Sequence, residues 1–368
     1  MYARIKLKDF NGAIQDFNKA IELYQSFPSE AAIKLLNAAF ELNHSYSKLG
    51  LYQAFNYRGV AKSEIEDYNG AIQDYNKAIE LKPDYNEAYF NRGDAKWELS
   101  DLQGVSEDYN KAIELNPSNA KCHNWVGLAK AMNGNFPDAI EEYNKTIDFY
   151  PSYAQAYNNR GNAKAVLKDY TGAIQDFNKA IQLKPNYSTA YCNRGDVKTS
   201  QKDFSGALQD YNKAVELRPT EARNYYNRGN AKNHLSDYTG AIFDHNKAIE
   251  LKPDYDEAYY NRGLIKIATK DSYGAIQDLN KAIAINPMKA DAYYCRARVK
   301  FELMDFNAAL EDFNSCIVLN PKDASAYCFR GITKVKLGDK EQGRLDLYIA
   351  IELGDPYASG ILKEMLGK

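Results

Sequence analysis

The sequence is short of the residues on which enzymes and secreted domains usually depend. Among its 368 residues there are four histidines and five cysteines. Cys122, Cys192, Cys295, Cys316 and Cys328 form no CxxC pair, and their odd number and wide spacing exclude a disulfide framework. His44, His123, His234 and His245 share no metal-ligand spacing. There is no HExxH, no Gly-rich phosphate loop and no nucleophile elbow. No enzyme activity, metal or cofactor is therefore expected. Charge of one sign is also missing: 47 Lys and Arg face 49 Asp and Glu, a net of −2. A nucleic-acid binder would carry a basic excess. No apolar run reaches the ~18 residues that a membrane span needs. Met1 to Phe10 carries charges where a secretion signal needs an apolar stretch, so a cytoplasmic location is expected.

What the sequence does have is repetition. Pro83, Pro117, Pro151, Pro185, Pro219, Pro253, Pro287 and Pro321 follow one another at 34-residue steps. Gly59, Gly93, Gly127, Gly161, Gly195, Gly229, Gly263 and Gly331 keep the same step, with Ala297 in the one gap. A fixed period of this size marks a stacked repeat architecture. Within a unit, Ala88, Tyr89, Ala95 and Leu99 share one helical face, and Gly93 sits inside that helix. Interior glycine costs about 1 kcal/mol against alanine, so a close neighbour is expected there. The second half of a unit is clearest at Ala71, Ile72, Tyr75, Ala78 and Ile79, an apolar stripe at helical spacing. Lys82-Pro83 ends it, because proline pushes the preceding residue out of the α region. Each unit reads as a helix hairpin, and no strand pattern appears. One hairpin cannot bury its stripe alone, so neighbours must share a continuous core. Tyr89, Tyr157, Tyr191, Tyr225, Tyr259, Tyr293 and Tyr327 recur in the first helix, each expected to bury its ring while the hydroxyl finds a polar partner.

This pattern resembles the tetratricopeptide repeat family. The family's glycine at the eighth position, alanines at the twentieth and twenty-seventh and proline at the thirty-second correspond to Gly161, Ala173, Ala180 and Pro185 in the unit starting at Ala154. Its usual Leu and Tyr at the seventh and eleventh positions are replaced by Arg160 and Lys164, which is similar to a bacterial subgroup reading Y-x-N-R-G-x-A-K. The resemblance implies an all-α fold, a right-handed superhelical solenoid of antiparallel helix hairpins. Three regions are expected. Residues 1–51 hold a partial repeat, with a second helix at Asn11–Leu23, and an irregular helical stretch at Glu30–Lys48. Residues 52–323 hold eight tandem units. Residues 324–368 hold a degenerate ninth unit, with Gly343 where alanine is expected, and a capping helix at Ile361–Leu366. Asp355 suits the N-cap of that helix and Pro356 its first turn.

An arginine recurs in the first helix at Arg58, Arg92, Arg160, Arg194, Arg228, Arg262, Arg296 and Arg330. An aspartate recurs in the second at Asp74, Asp108, Asp176, Asp210, Asp244, Asp278 and Asp312. A carboxylate needed once for catalysis would not appear in every unit. A repeated interhelical ion pair is expected instead, since a guanidinium grips a carboxylate at two points. The competing reading is a basic stripe for anions or RNA. In the third unit Val126 replaces the arginine, which leaves Glu142 without that partner.

In the family the first helices line the concave surface, and the resemblance implies a peptide-binding face there. Asn91, Asn159, Asn193, Asn227 and Asn261 occupy one inner position. Such an asparagine ladder can satisfy the backbone of an extended peptide; the alternative is that each merely bonds a neighbouring helix. Other inner positions vary from unit to unit, and both tryptophans fall on them. Phe90, Trp97, Trp125 and Met132 are the candidate apolar subsite, against the alternative of local packing. The lysines sit at the eleventh position, not where the family clamps a C-terminal carboxylate. The implied function is a non-catalytic scaffold for a protein or peptide ligand. The alternatives are self-assembly through the incomplete N-terminal unit, where a half hairpin would expose an apolar face, and RNA binding by a helical repeat.

Overall fold

The computed structural model describes residues 10–26 and 50–365. Among these the regular elements are all helices. The chain forms two compact units, Met1–Pro185 and Asn186–Lys368. The first holds α1 (Phe10–Ser26), α2 (Leu51–Ser63), α3 (Tyr68–Leu81), α4 (Asn86–Glu98), α5 (Leu102–Leu115), α6 (Ala120–Met132), α7 (Phe136–Phe149), α8 (Ala154–Val166) and α9 (Tyr170–Leu183). The second holds α10 (Ser188–Ser200), α11 (Phe204–Leu217), α12 (Ala222–His234), α13 (Tyr238–Leu251), α14 (Asp256–Ala268), α15 (Ser272–Ile285), α16 (Ala290–Glu302), α17 (Phe306–Leu319), α18 (Ala324–Lys336), α19 (Lys340–Glu352) and α20 (Ala358–Met365). From α2 onward even and odd helices pair as hairpins, and within each unit successive hairpins stack in chain order. The expected helix at Glu30–Lys48 and residue Leu366 lie outside the described residues.

Local chemistry fixes each hairpin. The first helix ends in a residue with positive φ, such as Ser100 at 61° or Lys168 at 65°. The chain then reverses into an aspartate whose side chain caps the second helix. Asp101 Oδ1 accepts from Gly104 N at 3.0 Å, and Asp169 does the same for Gly172. The second helix closes on a non-helical residue, Lys82 after α3, immediately before Pro83.

The interior glycines have the close neighbour that their position demands. A Cβ on Gly93 would lie 2.7 Å from Cε1 of Tyr109, a ring with no exposed surface. Where Leu279 replaces the ring, a Cβ on Gly263 would meet its nearest atom at 3.3 Å. The alanines of the second helices, Ala71 and Ala78 among them, are fully buried and let the helices approach. In the ninth hairpin Gly343 departs from alanine for a steric reason: a Cβ there would sit 2.6 Å from Val335 Cγ2. Downstream, Asp355 Oδ1 accepts from the amides of Tyr357 and Ala358. Helix α20 then lays Ala358 and Leu362 over Leu347 and Ala350. At the other end α1 packs on α2 and buries Phe17 and Ile21.

The repeated arginine is a structural clamp. Arg160 Nε and Nη2 reach the two oxygens of Asp176 at 2.9 and 2.6 Å. Its Nη1 donates to Asn144 Oδ1 of the preceding hairpin at 2.6 Å. Its guanidinium carbon lies 5.5 Å from the centre of the Tyr157 ring. Lys164 Nζ completes the set, 2.8 Å from Asp176 Oδ2. The same arrangement recurs around Arg92 and Asp108, Arg262 and Asp278, and Arg296 and Asp312. The recurrent tyrosines therefore serve as cation–π platforms for the arginines more than through their hydroxyls.

Candidate functional site

Within each unit the first helices of neighbouring hairpins touch, as α2 does α4 and α14 does α16, and the second helices are not brought as close. The first helices consequently form an inner row. The asparagines lie along it, joining each helix to the one before. Asn91 Nδ2 donates to Asn56 Oδ1 at 2.9 Å, and Asn159 Nδ2 to Asn124 Oδ1 at 3.1 Å. Asn227 donates to Asp196 at 2.8 Å, and Asn261 to the Tyr226 hydroxyl at 3.0 Å and to Asn230 at 2.9 Å. Asn193 is buried in the same row. These four amide groups are thus spent between helices.

Three of the four candidate apolar residues come together. The Trp97 and Trp125 rings are 5.2 Å apart, Trp125 stacks near Tyr109 at 6.2 Å, and Phe90 lies 5.7 Å from Tyr109. All three candidates are half-buried against the core formed by Val105, Tyr109 and Cys122. Met132 is a correction to the expected grouping. It is 58% exposed and stands apart from this cluster. Seven residues of helix place it about 10 Å further along α6 than Trp125.

Beside the aromatics opens a groove of about 450 Å³ between α2, α4 and α6. Trp97 and Trp125 form part of its wall, as do Tyr68 and Tyr75 of α3. Its charged lining is wholly acidic: Glu64, Glu66, Asp94 and Glu98. Burial lifts the Asp94 carboxyl to about 6, with Glu98 adding to the effect and the hydrogen bond from Tyr109 and the charge of Lys121 opposing it. Tyr109 Oη donates to Asp94 Oδ1 at 2.5 Å. The acidic lining was not visible in the sequence, where these four residues look like ordinary helix-end charges from two units.

Other groups singled out in the sequence have structural partners. Where Val126 removes the arginine, His123 takes its place, with Nδ1 2.7 Å from Glu142 Oε2 and Nε2 3.0 Å from the Pro117 carbonyl. The His123 hydrogen bond holds Glu142 down to about 2 against the effect of burial, aided by Lys130 and Lys145. Burial pushes the thiols of Cys122, Cys192, Cys316 and Cys328 up to about 12, which keeps them from acting as nucleophiles near neutral pH. Among the described residues no helix is long and apolar enough to cross a membrane.

Comparison with known proteins agrees with this geometry. A family model described as TPR repeat matches residues 63–100, 195–235 and 233–267. Models described as tetratricopeptide repeat match residues 154–187, 108–141, and 2–27, 87–119 and 256–287. Among solved structures, the APC/C hetero-tetramer Cut9-Hcn1 superposes with a TM-score of 0.52 at 16% identity, over 98% of this chain and 74% of that one. A tetratricopeptide repeat protein from Parabacteroides merdae does so with a TM-score of 0.51 at 18% identity, over 67% of this chain and 98% of that one. MamA aligns at 27% identity over 45% of this chain and 96% of its own, with a TM-score of 0.42. No curated protein matches the chain.

Proposed function

The chain belongs to the tetratricopeptide repeat family, and from that premise we propose that it is a non-catalytic scaffold binding an extended peptide or partner protein along its inner row of first helices. One observation carries this reading. Trp97 and Trp125 stand half-buried on a groove, at positions that the second unit fills with Thr199 and Asn227 in one pair of hairpins and with Phe301 and Phe329 in another. The repeat framework does not require large aromatics there. Half-buried aromatics beside a cleft are the usual anchors of a binding surface. The asparagine row at Asn91, Asn159, Asn193, Asn227 and Asn261 is a candidate track for the peptide backbone. With the amide groups of Asn91, Asn159, Asn227 and Asn261 turned to neighbouring helices, the part of the row would be to offer carbonyl oxygens to backbone N–H donors, the Asn159 carbonyl sharing itself with Asn158. A cytoplasmic, bacterial setting belongs to the same proposal.

A random dodecapeptide display library selected on the full chain tests the reading. Selected peptides should bind the unaltered protein and lose binding to the Trp97→Ala/Trp125→Ala double variant, whose far-UV circular dichroism should stay unchanged. Equal binding by both proteins would reject the surface. Nucleic-acid binding at low salt should be absent. Light scattering across protein concentrations would reveal a rising mass if self-assembly were the main activity instead.

A further inference from the structure

The groove beside Trp97 has walls and charges that specify more than a generic peptide. We propose that it receives the cationic side chain of an arginine or lysine in the bound peptide, laid against Trp97 and Trp125 with its charge directed to Asp94 and the acidic lining. This rests on the peptide-binding reading above and names the ligand chemistry of one subsite.

Charge complementarity is the first argument. Four carboxylates line the groove and no lysine, arginine or histidine does. Among the described residues no cation lies over either tryptophan. Elsewhere the protein does place cations on rings: Lys289 Nζ sits 5.0 Å from the ring centre of Tyr260 in the inner row, and Lys252 Nζ 4.9 Å from that of Tyr255, the residue before α14. Tryptophan is the best aromatic partner for a cation.

The second argument comes from the equivalent place in the other compact unit, three repeats on. There Asp196 also accepts from a second-helix tyrosine, Tyr211, at 2.8 Å. Its remaining needs are met within the protein: Arg223 Nη2 lies 2.6 Å from Oδ2, and Asn227 donates to Oδ1 at 2.8 Å. A guanidinium therefore fits between neighbouring first helices in this register. At the groove the two donors are replaced. Trp125 stands where Asn227 would, and Lys121, in the place of Arg223, is exposed and forms no ion pair with Asp94. The carboxylate that the second unit satisfies from within is left open to a guest.

The burial that lifts Asp94 toward neutral pH is what an incoming cation would offset, so binding should weaken on acidification. Glu98 on the same helix, Glu64 and Glu66 from the preceding hairpin, Tyr75 from α3, Tyr109 from α5, Lys121 and Cys122 from α6 and Tyr153 before α8 are the charged and titratable groups around it.

The library-selected peptides decide the matter. They should be enriched in Arg or Lys. Replacing that residue by citrulline or acetyl-lysine should weaken binding about tenfold, a loss in the range expected for one desolvated charge. Tryptophan emission should follow the titration, since both tryptophans of the chain are at the site. Asp94→Asn/Glu98→Gln should abolish the difference between charged and neutral peptides. Glu64→Gln/Glu98→Gln, confined to exposed positions, should reduce it with the fold intact. Affinity for the cationic peptide should fall between pH 7 and pH 5. Peptides that need Trp97 and Trp125 but show no cationic excess, or that tolerate citrulline, would overturn the inference and leave the scaffold reading standing. Failure to select any peptide would overturn both.

Discussion

Asp176 is 4% exposed, and Arg160, with Lys164, is what makes that burial tolerable. Removing one member of a buried pair leaves an uncompensated charge. Arg160→Ala should therefore destabilise the fold by about 3–5 kcal/mol, and Arg160→Lys should recover only part of it, because an ammonium cannot bridge both oxygens and Asn144. Urea unfolding of the three proteins measures this. His245 makes the opposite case. It is fully buried, neither ring nitrogen has a hydrogen-bond partner, and burial lowers its pKa to about 4. Tyrosine at the matching position reaches the inner row with its hydroxyl, as Tyr109 does Asp94; imidazole stops short. Phenylalanine is already accepted there at Phe177. His245→Phe should stabilise by about 1–3 kcal/mol. The unfolded imidazole takes up a proton below about 6.5 that the folded one refuses down to about 4, so wild-type stability falls as pH drops through that window. The variant should lose that part of the slope. The Arg–Asp pairing was legible from one arginine and one aspartate per unit. The lysine and asparagine partners were not, because the asparagine belongs to the hairpin before and pairs across the apparent unit boundary.

At the level of the hairpin, the tight turn and the glycine contact set the tolerances. Lys168 adopts φ 65° in a turn where Gly134 and Gly338 occupy the matching position of other hairpins. Lys168→Gly should raise stability by up to about 1 kcal/mol, since the left-handed region strains a side-chain-bearing residue. Gly93→Ala should destabilise by about 1–2 kcal/mol, the overlap with the enclosed Tyr109 ring outweighing alanine's better helix propensity. Gly263→Ala should cost less than Gly93→Ala, because its Cβ would meet Leu279 at 3.3 Å and a small shift of that side chain relieves the contact. Thermal unfolding of both alanine variants separates the two outcomes. Helix positions and ends could be read from the proline and glycine series because those residues act locally. The acidic groove could not. It needs α2, α4 and α6 side by side, and nothing in one helix reveals which charges its neighbours will present.

For the whole chain, stability in a repeat array is close to a sum of unit and neighbour terms, so global two-state unfolding is not guaranteed. The two tryptophans both lie in the first compact unit, whereas helical circular dichroism reports on both. Arg296→Ala, in the second unit, should shift the dichroism midpoint more than the fluorescence midpoint. Coincident shifts would mean that the chain unfolds as one body. The all-α architecture was evident from the 34-residue step alone. The division at Pro185 was not, because the repeats on its two sides carry the same signals.

The arginine clamp has an evolutionary corollary. The guanidinium groups of Arg92, Arg160, Arg228, Arg262, Arg296 and Arg330 each reach sixteen residues ahead for an aspartate and sixteen behind for an asparagine, so both partners return whenever the chain is cut and rejoined at the repeat period. Recombination can then add or drop whole hairpins without any compensating substitution, and the length of the inner row becomes a trait that selection can adjust in discrete steps.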